Sequence, residues 1–188
     1  TESNAMKLNS SGGKDSWDPK KYLNIWVCDL TNSQGGGQTL GYAYLPGLLA
    51  GFGQNAWKDG LVVDYRYFGT NGIAAPSSDG RTATHEVGHY LGLNHTFSEG
   101  NYPSYSCLDA NNNPICCDRD GGNVDDTPAT SDVYWGNVTS NTNNNTCNDL
   151  SYANVFTTDV LDMDENFMSY ATATWMFSQG QVDVMMAT

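Results

Sequence analysis

The sequence predicts an α+β domain, with a twisted sheet and one active helix in an N-terminal lobe and a loop-rich C-terminal lobe that ends in a helix. Three observations lead there. Runs of β-forming residues come before the first helical pattern, that pattern is short and amphipathic, and about sixty residues after it are loaded with Asn, Asp, Gly and Pro and carry no period. At 188 residues the chain is long enough to bury one core, so a single domain over 1–188 is expected, with lobes at 1–95 and 96–188.

Residues 1–20 are polar and rich in Ser, Gly and Lys up to Asp18-Pro19, and read as an arm with little chemistry. Tyr22 to Leu30 is rich in β-formers and is expected as a core strand, broken by Asn32 through Gly37. Leu40 to Leu45 alternates with tyrosines until Pro46-Gly47 stops it, and Leu61 to Phe68 is another strong β run ahead of Gly69. A helix from about Arg81 to Leu91 follows, with Ala83, Val87, Tyr90 and Leu91 on its apolar face and Gly92 as its stop. A last helix, roughly Ser178 to Met186, presents Val182, Met185 and Met186 to a core.

A formal net charge of -13, from 21 acidic against 8 basic residues, repels phosphate backbones and anionic bilayers, so neither nucleic acid nor a membrane is an expected partner. No run approaches the ~18 apolar residues of a membrane span. The opening Thr1-Glu2-Ser3-Asn4 lacks signal-peptide character, and removal of an earlier signal or pro-segment is expected. Cys107, Cys116, Cys117 and Cys147 cluster in a polar region whereas Cys28 stands alone in an apolar run, a pattern that suggests two disulfides and one buried thiol. A cysteine-rich zinc site would want paired CxxC spacing, which is missing. A secreted or extracellular monomer is the expectation. Asn137-Val138-Thr139 and Asn144-Asn145-Thr146 also match the glycosylation acceptor pattern, which chance often produces.

The chemistry concentrates in His85-Glu86-Val87-Gly88-His89-Tyr90-Leu91-Gly92-Leu93-Asn94-His95, which matches H-E-x-x-H-x-x-G-x-x-H and holds all three histidines of the chain. An accidental match is expected on the order of once in ten thousand chains of this length. On a helix, His85 and His89 sit one above the other and can aim at one ion. His95 could not reach that ion from a continuing helix, so Gly92, able to take φ > 0, is expected to turn the chain. Three neutral nitrogens leave zinc an open position for water, and Glu86 stands where a general base is needed. Peptide hydrolysis is the expected reaction on protein or peptide substrates. An inactive zinc-containing peptide-binding domain and a calcium-stiffened adhesion module are the rivals.

These eleven residues resemble the metzincin clan of metallopeptidases, and Glu165-Asn166-Phe167-Met168-Ser169-Tyr170 looks like its Met-turn. Together with Asp125-Asp126-Thr127-Pro128 they are most similar to the pappalysin family and its ulilysin-like members, over roughly residues 40–186. The resemblance implies a metalloprotease catalytic domain in which Met168 is an apolar floor under the histidines and Tyr170 supports the oxyanion. It also implies that Gly41, Tyr42, Ala43 and Tyr44 form an edge strand pairing with extended substrate.

The run Cys117 to Thr127 looks like the family's calcium loop, which would draw ligands from Asp118, Asp120, Asp125, Asp126 and Thr127; acidic Gly-rich loops are often merely solvated. Asp162, Asp164 and Glu165 read as a solvated stretch, with a second cation as the alternative. The family cysteine expected soon after the Met-turn is missing, and Cys107 and Cys116 suggest a local substitute that leaves Cys117 to pair with Cys147, although four cysteines allow three pairings. Ulilysin-like enzymes favour a basic residue after the scissile bond. Here Ala171 to Phe177 offers no acid, so a weaker preference for Arg is expected unless Asp149, Asp159 or Asp162 enters the pocket.

Overall fold

The computed structural model describes residues 4–30, 39–47, 55–71, 78–97, 117, 124–151 and 154–188. Cys107, Cys116, Asp118 and Asp120 lie outside them. The chain divides into two compact units, Thr1–Gly92 and Leu93–Thr188.

In the first unit, three strands form one sheet in the order β1-β3-β2: β1 is Ile25–Cys28, β2 is Gly41–Ala43 and β3 is Leu61–Asp64. β3 is central and wholly buried, as its unbroken Leu-Val-Val run requires, and pairs parallel with β1 and antiparallel with β2. Trp26, Val62 and Tyr42 lie side by side across the three strands and make the core, with Met6, Cys28, Leu30 and Tyr44 packed against it. β1 is shorter than its β-forming run and is not doubly buried. It lies at the rim of the described sheet, so Ile25 and Val27 face solvent while Trp26 points inward. Cys28, expected as a buried thiol, is free and only half-buried; burial, Asp64 and Asp29 push it up from its ordinary pKa. Gly60 enters β3 at φ 120°, where a Cβ would stand 2.3 Å from the Asn24 carbonyl oxygen, so no other residue fits that approach. At the far end Asp64 is fully buried. It accepts bonds from Leu30 N–H and the Arg66 guanidinium, which holds the carboxyl below its usual range.

The N-terminal arm does more than its composition suggests. It folds into 3-10 turns at Ala5–Lys7 and Asn9–Ser11. Its Lys7 is completely buried, with Nζ donating to the Lys58 carbonyl at 2.6 Å and lying 4.8, 5.4 and 5.0 Å from the ring centres of Trp26, Tyr42 and Tyr44. A desolvated ammonium is tolerable here because three aromatic faces and a carbonyl stand in for water. Helix α1, Thr82–Tyr90, packs on β2 and β3.

The second unit has little regular structure: a 3-10 turn at Asp149–Ser151 and helix α2, Gln179–Ala187, are its named elements among the described residues. Polar networks do much of the work. Asp149 is fully buried and accepts from the N–H groups of Ala129 and Val160. Asp162 accepts from Thr146 N–H and Asp164 from Asn144 Nδ2, so these two acids are buried partners and not a solvated stretch. Burial pushes both carboxyls up. Cys117 is bonded to Cys147, closing a separation of 30 residues, as the expected pairing has it. In the chain-entropy account such a loop contributes ~3 to 4 kcal/mol. α2 opens on a capping box in which Ser178 Oγ accepts from Gln181 N–H and the Gln181 side chain accepts from Ser178 N–H.

The Lys7 cage carries a test. Lys7→Met keeps the volume but removes the charge-assisted bond and the cation–π contacts, at a cost of roughly 2 to 4 kcal/mol. Denaturant melts should show it as a lower midpoint; an unchanged midpoint refutes the role given to the cage.

Candidate metal centre

α1 presents His85 and His89 one turn apart, with Glu86 next to His85. The Nε2 atoms of His85 and His89 face one another at 3.1 Å, with ring planes nearly perpendicular. The helix then stops. Leu91 N–H bonds back to Val87, Gly92 N–H to His89, and Gly92 adopts φ 97°, a left-handed conformation that a side chain would strain. Three residues further on stands His95, and the ligating atoms of His85, His89 and His95 all lie within 4.8 Å of one another. Among the described residues this is the one such group of His, Cys, Asp or Glu side chains. The set fits a borderline metal ion: each ring has a nitrogen able to ligate, and the 3.1 Å between two of them is near the spacing set by two metal–nitrogen bonds of ~2.0–2.1 Å.

Glu86 is buried. The residue opposite it on β2 is Gly41, where a Cβ would lie 2.8 Å from Glu86 Oε1 and 2.9 Å from its Cγ. β2 therefore leaves a slot without a side chain against the carboxylate. Of the run 41–44, Gly41, Ala43 and Tyr44 are half-buried, whereas Tyr42 belongs to the core. β2 pairs with β3 and forms the opposite rim of the described sheet from β1.

Within the second unit His95 stacks on Phe97 at 4.8 Å and meets the Tyr170 ring edge-on at 4.6 Å. Met168 is fully buried and its carbonyl accepts from Thr96 N–H, next to His95. The turn around it is held by Asn166, whose Oδ1 accepts from Met168 N–H and whose Nδ2 donates to Gln181 Oε1. The capped start of α2 thus fixes the turn. Ala173, just beyond, has φ 61°, rare for a residue with a side chain.

Of the residues expected at calcium, Asp125 is exposed and Thr127 is fully buried, its Oγ1 without a hydrogen bond among the described residues. Asp126 also caps the last helix: its carboxylate accepts from Ser178 Oγ at 2.7 Å and from Gly180 N–H at 2.8 Å. Sequence reasoning missed that cap, although the acid's favourable place at a helix N-terminus is a general signal. Of the acids offered for a specificity pocket, Asp149 serves its own network, and Asp159 accepts from Asp149 N–H and Asn145 Nδ2. Asp162 lines a cavity of about 550 Å³ with Val138, Phe156, Glu165 and Trp175. Sequence reasoning also passed over Trp135, whose ring lies 5.0 Å from that of Tyr170.

A family model for peptidase family M43, described as pregnancy-associated plasma protein-A, matches residues 7–188. The chain belongs to this family. An extracellular metalloprotease of Arthroderma gypseum is 30% identical over 184 residues, 96% of this chain and 50% of that protein. One of Arthroderma otae is 35% identical over 124 residues, 64% of this chain and 37% of that protein. This chain thus spans half or less of the curated relatives it matches. Mature mirolysin of Tannerella forsythia, solved with a cleaved peptide, superposes with a TM-score of 0.67 at 32% identity, covering 98% of this chain and 59% of that one. Its precursor promirolysin gives 0.67 at 31%, over 98% and 52%. The pappalysin resemblance and the α+β metzincin fold are borne out.

Proposed function

We propose that residues 1–188 are the catalytic domain of a secreted zinc-dependent endopeptidase, organised as lobes 1–95 and 96–188, acting as a monomer on protein or peptide substrates. The observation that carries this reading is the convergence of His85, His89 and His95 next to a buried Glu86. Family membership and relatives named extracellular metalloproteases support it. In this reading His85, His89 and His95 would hold zinc, which when bound would supply Lewis-acid activation of water and of the peptide carbonyl. Glu86 takes a proton from the attacking water and hands it to the leaving amine. The Tyr170 hydroxyl steadies the oxyanion. Gly41 to Tyr44 pair with the substrate main chain, Gly92 keeps the third ligand in reach, and Met168 gives the histidines an apolar floor.

Calcium bound by Asp118, Asp120, Asp125, Asp126 and Thr127 is a further part of the proposal. Its support is the buried Thr127 Oγ1, an acceptor with no hydrogen-bond partner among the described residues, in a run rich in carboxylates.

Glu86→Ala should keep one equivalent of zinc and lose activity by ~10² to 10⁴. Metal analysis alongside peptide turnover checks this; near-wild-type turnover sinks the mechanism, and a domain that merely binds peptides would show no turnover even before the change. Gly41→Ala should also keep zinc and fold, yet lower kcat by about 10², because its methyl displaces the carboxylate. Full activity in that variant would show that Glu86 has room to spare. Removing calcium while zinc is retained should hasten autolysis around 118–127, visible by mass spectrometry of the fragments; identical fragment patterns with and without calcium would reject the site.

A further inference from the structure

The sequence motifs leave Trp135 without a role, and the structure sets it beside the candidate centre. Its side chain is 70% exposed, unusual for an indole, whereas Phe97 at the other side of Tyr170 is buried. Among the described residues, the rings of His95, Phe97 and Trp135 stand against Tyr170, at 4.6, 4.9 and 5.0 Å between centroids. Trp135 is thus two ring contacts from a metal-ligating imidazole. It does not hang on a free loop. The Gly136 carbonyl accepts from Thr172 N–H at 2.9 Å and from Thr172 Oγ1 at 3.3 Å, Val138 N–H donates to the Thr172 carbonyl at 3.0 Å, and Asn137 bridges to Thr172 in parallel register. The backbone next to Trp135 is therefore fastened to the segment that follows Tyr170. At Gly136 the Tyr134 ring lies close over the backbone, 2.3 Å from where a Cβ would stand.

An indole held this firmly, with one side on Tyr170 and most of its surface in water, has the form of a binding wall awaiting its second ring. We propose that Trp135 contacts the substrate directly, receiving an aromatic or bulky apolar side chain adjacent to the scissile bond. This rests on the endopeptidase reading for the position of the scissile bond, but the contact itself concerns peptide binding and is measurable without turnover. Its rival is a purely positioning role, in which Trp135 only keeps the Tyr170 ring in place.

The test uses the zinc-loaded full chain carrying Glu86→Ala, which binds peptide without consuming it, together with Trp135→Ala and Trp135→Phe in the same background. Two peptides are titrated, identical but for Phe or Gly beside the target bond. Trp135→Ala should weaken the Phe peptide about tenfold and the Gly peptide less than twofold, and Trp135→Phe should recover most of the loss. Indole fluorescence should change on binding the Phe peptide in the parent and lose that change in Trp135→Phe. Equal weakening of both peptides, or none, overturns the contact, and the Phe variant guards against a folding defect in the Ala one. Turnover by the Glu86-intact chain is scored separately: its absence would reject the endopeptidase reading while the binding pair still decides the contact.

Discussion

Two imidazoles can share one ion from a helix only if they are one turn apart, and a third can join them only if the helix ends at once. α1 satisfies both demands in nine residues, from Thr82 to Tyr90, with Gly92 turning the chain at φ 97°. The helix needs a rigid bed, and β2 and β3 provide it. β3 is uniformly buried, so it has no freedom to slide, and β2 meets α1 at Gly41, where the lack of a side chain leaves room for Glu86. The placing of the histidines, the Glu86 carboxylate and the sheet register are therefore one constraint: a shift of β2 by one residue that puts Tyr42 against the carboxylate would put Ala43 in Tyr42's place in the core.

The core behind that sheet is small, and Lys7 shows how the chain completes it. Trp26, Tyr42 and Tyr44 present ring faces that water would otherwise wet, and a buried ammonium closes over them while its charge is satisfied by the Lys58 carbonyl. Trp26 is tied in turn to the arm through its Nε1 bond to the Lys14 carbonyl. The arm is thereby an integral layer of the first unit, and its order and that of β2 depend on the same aromatic rings.

What could be read from the sequence followed from contiguity and period. The zinc motif is eleven contiguous residues, α1 and α2 announce themselves by apolar spacing and stop signals, and β3 by an unbroken β-branched run. The Cys117 to Cys147 pairing came from family resemblance, because spacing alone left three choices. The misreadings share one cause. Lys7, Asp162 and Asp164 are charged residues whose burial depends on partners distant in sequence, and hydropathy assigns such residues to the surface. Trp135 was passed over for the reverse reason, since an exposed indole leaves no periodic trace.

Those buried acids bear on how a unit with so little regular structure stays folded. Asp162 and Asp164 have pKa values raised chiefly by desolvation, so their ionised forms are disfavoured in the folded chain. The sign follows from linkage: a carboxyl whose folded pKa lies above its unfolded one favours folding below the unfolded pKa, and that contribution is lost as pH rises through the folded pKa. At neutral pH these two groups therefore work against the fold, in a chain already carrying a net charge of -13. The opposing terms are visible: N–H donors from Thr146, the Asn144 amide, the disulfide, and the capped helix that ties Asp126 to the Met168 turn through Gln181. A cation held by the carboxylates of the 118–127 segment would act in the same direction, since it offsets negative charge in an acidic chain. With a cation held there as proposed, the 118–127 segment would have a folding role separate from the chemistry proposed at His85, His89 and His95.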